Sequence, residues 1–124
     1  MHGIRPDKAA RLFAILHLIE TRSGDPGLNA AAVARLLGVT PRYVHLLLEG
    51  TGKSFSRHLL ETRLLKAAAL LRDPLWRGRR IADVAAEAGF SDLSYFSRAF
   101  RRRYGSTPSQ LREAMPRVKQ DCLE

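Results

Sequence analysis

Residues 81–112 read IADVAAEAGFSDLSYFSRAFRRRYGSTPSQLR, and their spacing dictates helices rather than strands. Ile81 to Ala88 is a short apolar-patterned segment that stops at Gly89. A longer helix is expected from about Asp92 to Arg103, closed by Tyr104-Gly105. Thr107-Pro108-Ser109-Gln110 then has the Thr-x-x-Gln form of a capping box, with proline at the first helical position, where its missing N–H is not needed. The order is short helix, glycine turn, longer helix, capped helix.

The same order occurs earlier in the chain. Val33-Ala34…Leu37-Gly38-Val39 matches Val84-Ala85…Ala88-Gly89-Phe90 at an offset of 51. Val44, Leu47 and Leu48 match Phe96, Ala99 and Phe100 at 52, and Gly52 and Ser54 match Gly105 and Thr107 at 53. Two copies make a duplicated unit, not a solenoid. In each, a small residue (Ala34, Ala85) stands four positions before a glycine, and apolar residues return six or seven positions after it. A helix-turn-helix needs this combination. The small side chain lets the second helix cross close to the first, the glycine takes the left-handed turn, and the later apolar residues pin the second helix to the core. The opposite face is then left for a DNA major groove.

Outside the repeats the periodicity stays helical. Leu12, Ile15, Leu16 and Ile19 form the stripe of a helix starting near Pro6, broken by Ser23-Gly24-Asp25-Pro26-Gly27. Thr40-Pro41 starts a helix that runs to about Glu49. Ser54 caps a long helix whose face is Phe55, Leu59, Leu60, Leu64, Ala67, Ala68 and Leu71, ended by Asp73-Pro74. The expectation is an all-α protein of seven helices, forming two helix-turn-helix subdomains joined by a long connecting helix, as homeodomain-like tandem lobes. The DNA-binding domain spans 6–115: lobe 1 about 6–53, the connecting helix 54–73 and lobe 2 about 74–115. Residues 116–124 read as a polar tail.

Residues 81–112 closely resemble the signature of the AraC/XylS family of bacterial transcription regulators: Ile-Ala-x-x-Ala-x-x-x-Gly-Phe, Asp-x-Ser-Tyr-Phe-x-Arg-x-Phe, then Tyr-Gly-x-(Thr/Ser)-Pro-x-x-x-Arg. The resemblance extends back through VARLLGVTPRYVHLLLEGTGKSFSRHL and covers roughly residues 8 to 112. It implies a two-lobed DNA-binding domain whose recognition helices, about 41–49 and 92–103, enter adjacent major-groove segments of double-stranded DNA. The connecting helix is then expected to hold the two reading heads about 34 Å apart. Members of the family contact RNA polymerase, usually to activate. Most carry a further effector-sensing, dimerising domain ahead of this one. With almost nothing before the first helix, the chain reads as a fragment of a longer regulator, the other reading being a stand-alone protein. It is expected to be monomeric, with no small-molecule effector site.

Stepping 100° per residue gives the faces. In the later recognition helix, Phe96, Ala99 and Phe100 define the core side; opposite lie Ser94, Arg98 and Arg101, flanked by Ser97, Tyr95 and Arg102. In the earlier one, Val44, Leu47 and Leu48 define the core side; opposite lie Arg42, Leu46 and Glu49, flanked by His45 and Tyr43. Base reading is assigned to Arg42, His45, Leu46, Glu49, Ser94, Ser97, Arg98 and Arg101. Many family members carry arginine where Leu46 stands. Phosphate contacts are expected from Thr40, Ser54, Phe55, Tyr95, Arg102, Thr107, Ser109 and Gln110, several of them at helix N-termini. Tyr43 and Tyr95 could equally pack on their lobes. Arg103 reads as a solvated edge, and Arg77, Arg79 and Arg80 as general positive field. His17 and His58 lack metal-ligand spacing and read as surface residues.

Composition agrees with a polyanionic partner. The 124 residues carry 21 Lys+Arg against 12 Asp+Glu, a net +9. The excess is lopsided: residues 1–50 hold six basic and four acidic groups, residues 51–124 fifteen and eight. A lone Cys122 excludes an intrachain disulfide and a cysteine-based zinc site. No cofactor, metal or membrane partner is expected, the chain reads as cytoplasmic, and no catalytic constellation is visible. Two rival readings stand beside sequence-specific regulation. One is a nonspecific nucleoid-type binder; the other is a helical protein-interaction module, an anti-activator, motivated by Leu46 and Glu49.

Overall fold

Five of the seven helix starts are set by side chains that take up orphan N–H groups. A computed structural model describes residues 6–114, so the expected tail at 116–124 and Cys122 lie outside the described residues. Among those residues there are seven α-helices and no strand: α1 Pro6–Arg22, α2 Ala30–Leu37, α3 Pro41–Glu49, α4 Phe55–Arg72, α5 Ile81–Ala88, α6 Leu93–Tyr104 and α7 Pro108–Ala114. Asn29 Oδ1 accepts from Ala32 N–H, Thr40 Oγ1 from Tyr43 N–H, Ser54 Oγ from Arg57 N–H and Asp92 Oδ1 from Tyr95 N–H, at 2.8–3.1 Å. Thr107 and Gln110 cap each other reciprocally, at 2.9 and 3.1 Å. The basic connector holds a short 3-10 turn, Pro74–Trp76, capped by Asp73.

The chain divides into two compact units on either side of the Thr62–Arg63 bond. Each therefore takes part of α4, so the core face expected along that helix serves two cores. Unit 1 buries Ile15 and Ile19 of α1, Val33 and Ala34 of α2, Val44, Leu47 and Leu48 of α3, and Phe55 and Leu59 of α4 in one cluster. Unit 2 buries Leu64, Ala67, Ala68 and Leu71 of α4, Val84, Ala85 and Ala88 of α5, and Phe96 and Phe100 of α6. An aromatic run, Phe90–Phe96–Phe100–Tyr104, links successive rings at centroid distances of 4.8, 5.6 and 4.7 Å, in tilted geometry.

The two glycine turns behave as the repeat requires. Gly38 sits at φ +70° and Gly89 at φ +107°, both left-handed, and each donates its backbone N–H back into the helix before it. Ala34 and Ala85 are both buried, next to α3 and α6 respectively in the packing order.

Two stability outcomes follow from this packing. Ala85→Leu overfills the α5–α6 crossing and costs about 1–3 kcal/mol, whereas Leu at the neighbouring exposed Ala86 leaves stability nearly unchanged. Gly38→Ala costs about 1–2 kcal/mol through backbone strain alone, because nothing lies within 4 Å of where its Cβ would stand. Urea titration of the three variants, read by circular dichroism, checks both outcomes.

Candidate nucleic-acid interface

Burial of one seam of α3 fixes what its other side shows. Val44, Leu47 and Leu48 are sunk in the unit 1 core, and Arg42, His45, Leu46 and Glu49 are exposed. Leu46 is 47% exposed, a large apolar side chain held out among polar ones. Tyr43 is half-buried, with the Arg11 guanidinium 5.7 Å from its ring centre, so it packs on its own unit. In unit 2 the same logic buries Phe96 and Phe100 and exposes Ser94, Arg98, Arg101 and Arg102, while Ser97 is half-buried at the margin. Tyr95 is 45% exposed, its ring tilted on Phe90 at 6.2 Å. Arg103 is exposed and lies over the Tyr104 ring at 5.0 Å.

The two faces differ in charge. α3 contains one arginine and one glutamate; α6 contains four arginines and no acid. A field of that kind attracts phosphate to α6 far more strongly than to α3.

The helix starts carry donors suited to phosphate. Thr40, Ser54 and Thr107 each accept a backbone N–H through the hydroxyl oxygen, which leaves the hydroxyl hydrogen to donate outward. Gln110 uses its carbonyl oxygen on Thr107 N–H, leaving its amide group as a donor, and Ser109 is exposed beside it. Phe55 has only its backbone amide to offer, because its ring is buried in the unit 1 core. Residues His45, Glu49, Gly52, Lys53, Ser54 and Phe55 line a hollow of about 410 Å³ between the end of α3 and the start of α4.

Several functional-looking groups escaped the sequence reading. His58 is half-buried rather than a plain surface residue: its Nε2 lies 2.8 Å from Thr51 Oγ1. The Thr51 hydroxyl already donates to the Leu48 carbonyl at 2.6 Å, so His58 donates to Thr51. This joins the α3–α4 turn to α4. Glu61 accepts from both Lys53 and Arg57, which hold its pKa at about 2. Among the connector arginines, Arg79 stacks over Trp76 at 4.3 Å, and Arg80 pairs with Asp83 at 3.3 Å. The hydrogen bonds from Arg80 lower the Asp83 pKa. Arg112 donates to the Arg79 carbonyl at 2.6 Å, tying α7 to that connector. Spacing of three or four would have found the Arg80–Asp83 pair, but sequence separations of 7, 8 and 33 leave no periodic signal. No group of three metal-ligating side chains, and no helix long and apolar enough to cross a membrane, occurs among the described residues.

Comparison with known proteins agrees with this architecture. Residues 33–114 match a family described as a helix-turn-helix domain. The transcriptional activator RhrA of Rhizobium meliloti (strain 1021) is 36% identical over 104 residues, covering 82% of this chain and 32% of that protein. The HTH-type transcriptional activator RhaS of Escherichia coli (strain SE11) is 34% identical over 108 residues, covering 86% and 37%. The chain thus spans about a third of the length of these relatives. Among solved structures, the C-terminal domain of AraT, a response regulator from Geobacillus stearothermophilus, matches with a TM-score of 0.81 at 27% identity. It covers 97% of this chain and 95% of that one. A transcriptional regulator from Chromobacterium violaceum, described as containing an AraC-type DNA-binding domain, matches at 0.74 and 26%, covering 91% and 100%.

The turn between α3 and α4 carries a pH signature. Burial of the His58 ring, reinforced by the Lys53 charge, lowers its pKa below 6.5, so the unfolded chain binds this proton more readily than the folded one. The stability tied to His58 is therefore present above pH 6.5 and declines as pH falls below it. Glu61 acts in a separate window: its contribution is present above pH 4.5 and is lost as pH falls toward about 2. Thermal melts across pH, comparing the wild type with His58→Gln, should show the upper step in the wild type only.

Proposed function

The chain belongs to the AraC-type helix-turn-helix family of DNA-binding transcription regulators, and from that footing we propose that it binds double-stranded DNA sequence-specifically, α3 and α6 each entering a major groove. The observation that carries this reading is the duplicated short-helix, left-handed-glycine, longer-helix unit, whose longer helix buries an apolar seam and exposes the opposite polar face in both copies. The two helices read adjacent major-groove segments of one site, so a monomer of this domain covers a non-palindromic sequence.

The division of labour follows from the side chains. Arg98 and Arg101 supply gripping contacts to guanine edges or phosphate, with Arg102 and Tyr95 on the flanking strand. Arg42 and His45 offer polar contacts, Leu46 suits a thymine methyl, and Glu49 accepts from a cytosine amine. Helix starts at Thr40, Ser54, Phe55, Thr107, Ser109 and Gln110 hold the backbone. The whole regulator activates transcription through RNA polymerase, in keeping with relatives named as activators. A second reading, a protein-docking role for α3 in an anti-activator, draws on the exposed Leu46 beside Glu49.

Selection of bound sites from a random duplex pool, followed by footprinting, tests the proposal; a single protected non-palindromic site is expected. No preference between sequences would point to a nonspecific binder, and no salt-sensitive binding at all to the protein-docking role. On the selected site, Arg98→Ala should weaken binding by about 1–3 kcal/mol, more than Arg42→Ala does. Fluorescence anisotropy at fixed salt measures both, and the reverse order would overturn the division of labour.

A further inference from the structure

Glu61 is the only acid in α4, and its carboxylate engages two cations at once. Oε1 accepts from Lys53 Nζ at 2.8 Å, and Oε2 accepts from Arg57 Nε at 2.9 Å. Both cations belong to the start of α4. There Ser54 caps the helix, the first turn contains no acid, and Lys53 borders the hollow beneath the end of α3. A helix start already favours an anion, and two cations beside it add to that pull.

A donor aimed at Glu61 is not aimed at phosphate. Carboxylate and phosphate compete for the same N–H groups, since both are charged acceptors that prefer the same short geometry. Helix stabilisation accounts for only part of the arrangement. Arg57 precedes Glu61 by four residues, the less favourable order for an ion pair along a helix, and Lys53 reaches across from the turn, eight residues away.

We propose that Glu61 is a positioning residue that acts through Lys53 and Arg57 as an internal competitor of DNA phosphate, holding down the sequence-independent affinity of the domain for duplex. This rests on the DNA-binding reading above. A chain of net +9 gains affinity from phosphate on any sequence, and a resident carboxylate lowers that gain without touching the base-reading face of α3. The low pKa of Glu61, about 2, keeps the competing charge in place at every working pH.

The test titrates wild type and Glu61→Gln onto a random-sequence duplex over a range of sodium chloride, by fluorescence anisotropy, with thermal melts as a folding control. Glu61→Gln should bind about three- to tenfold more tightly at low salt. Its plot of log K against log salt should steepen by about 1, one further phosphate engaged. Lys53→Gln should abolish most of that gain in the Glu61→Gln background and cost less in the wild type. Glu61→Asp, which keeps the charge, should return toward wild-type behaviour. Equal or weaker binding by Glu61→Gln overturns the proposal; weaker binding would mean that Glu61 presents the two cations to phosphate. If Glu61→Gln melts early, Lys53→Gln/Arg57→Gln replaces it: a slope loss of less than about 1 supports competition, and a loss of about 1 or more overturns it. Absence of salt-dependent binding by the wild type is a separate result, and it fails the DNA-binding reading itself.

Discussion

A close crossing of two helices governs this protein. In each unit a short helix presents an alanine, Ala34 or Ala85, where a larger side chain would hold the next helix away. That approach lets α3 bury Val44, Leu47 and Leu48, and lets α6 bury Phe96 and Phe100. Because successive helical residues are 100° apart, burying those positions obliges Arg42, Leu46, Arg98 and Arg101 to point outward. The exposed reading surface is thus a consequence of core packing, and the left-handed glycines at 38 and 89 are what allow the chain to reverse into it.

Duplication has preserved the packing and let the chemistry diverge. The buried seams are aliphatic in unit 1 and aromatic in unit 2, yet both occupy the same helical register. The outward faces share almost nothing: one carries a leucine and a glutamate, the other a concentration of arginines. A core tolerates exchange of apolar residues so long as volume and pattern are kept. An exposed face is under no packing constraint, and its composition can follow the molecule it meets.

Polar contacts off the reading faces form a second level of organisation. His58 secures the turn after α3 through Thr51, Glu61 gathers the cations at the start of α4, and Arg112 ties α7 to the connector at Arg79. The corresponding positions in the two units are built differently. The α4 start is flanked by an ion-pair cluster, whereas the α7 start is closed by a reciprocal Thr107–Gln110 cap.

Helix positions, caps, glycine turns and the inward or outward sense of α3 and α6 were legible in the chain, because each depends on neighbours within four residues or on a period of 3.6. The local cap at Thr107, the left-handed Gly89 and the outward Arg98 all stood where that periodicity put them. Tertiary structure alone decided how α4 is shared between two cores and that His58 is half-buried against Thr51. It also decided that Glu61 holds Lys53 as well as Arg57. Those outcomes depend on which distant or off-period side chains the folded backbone brings within hydrogen-bond reach, and no local pattern encodes that distance.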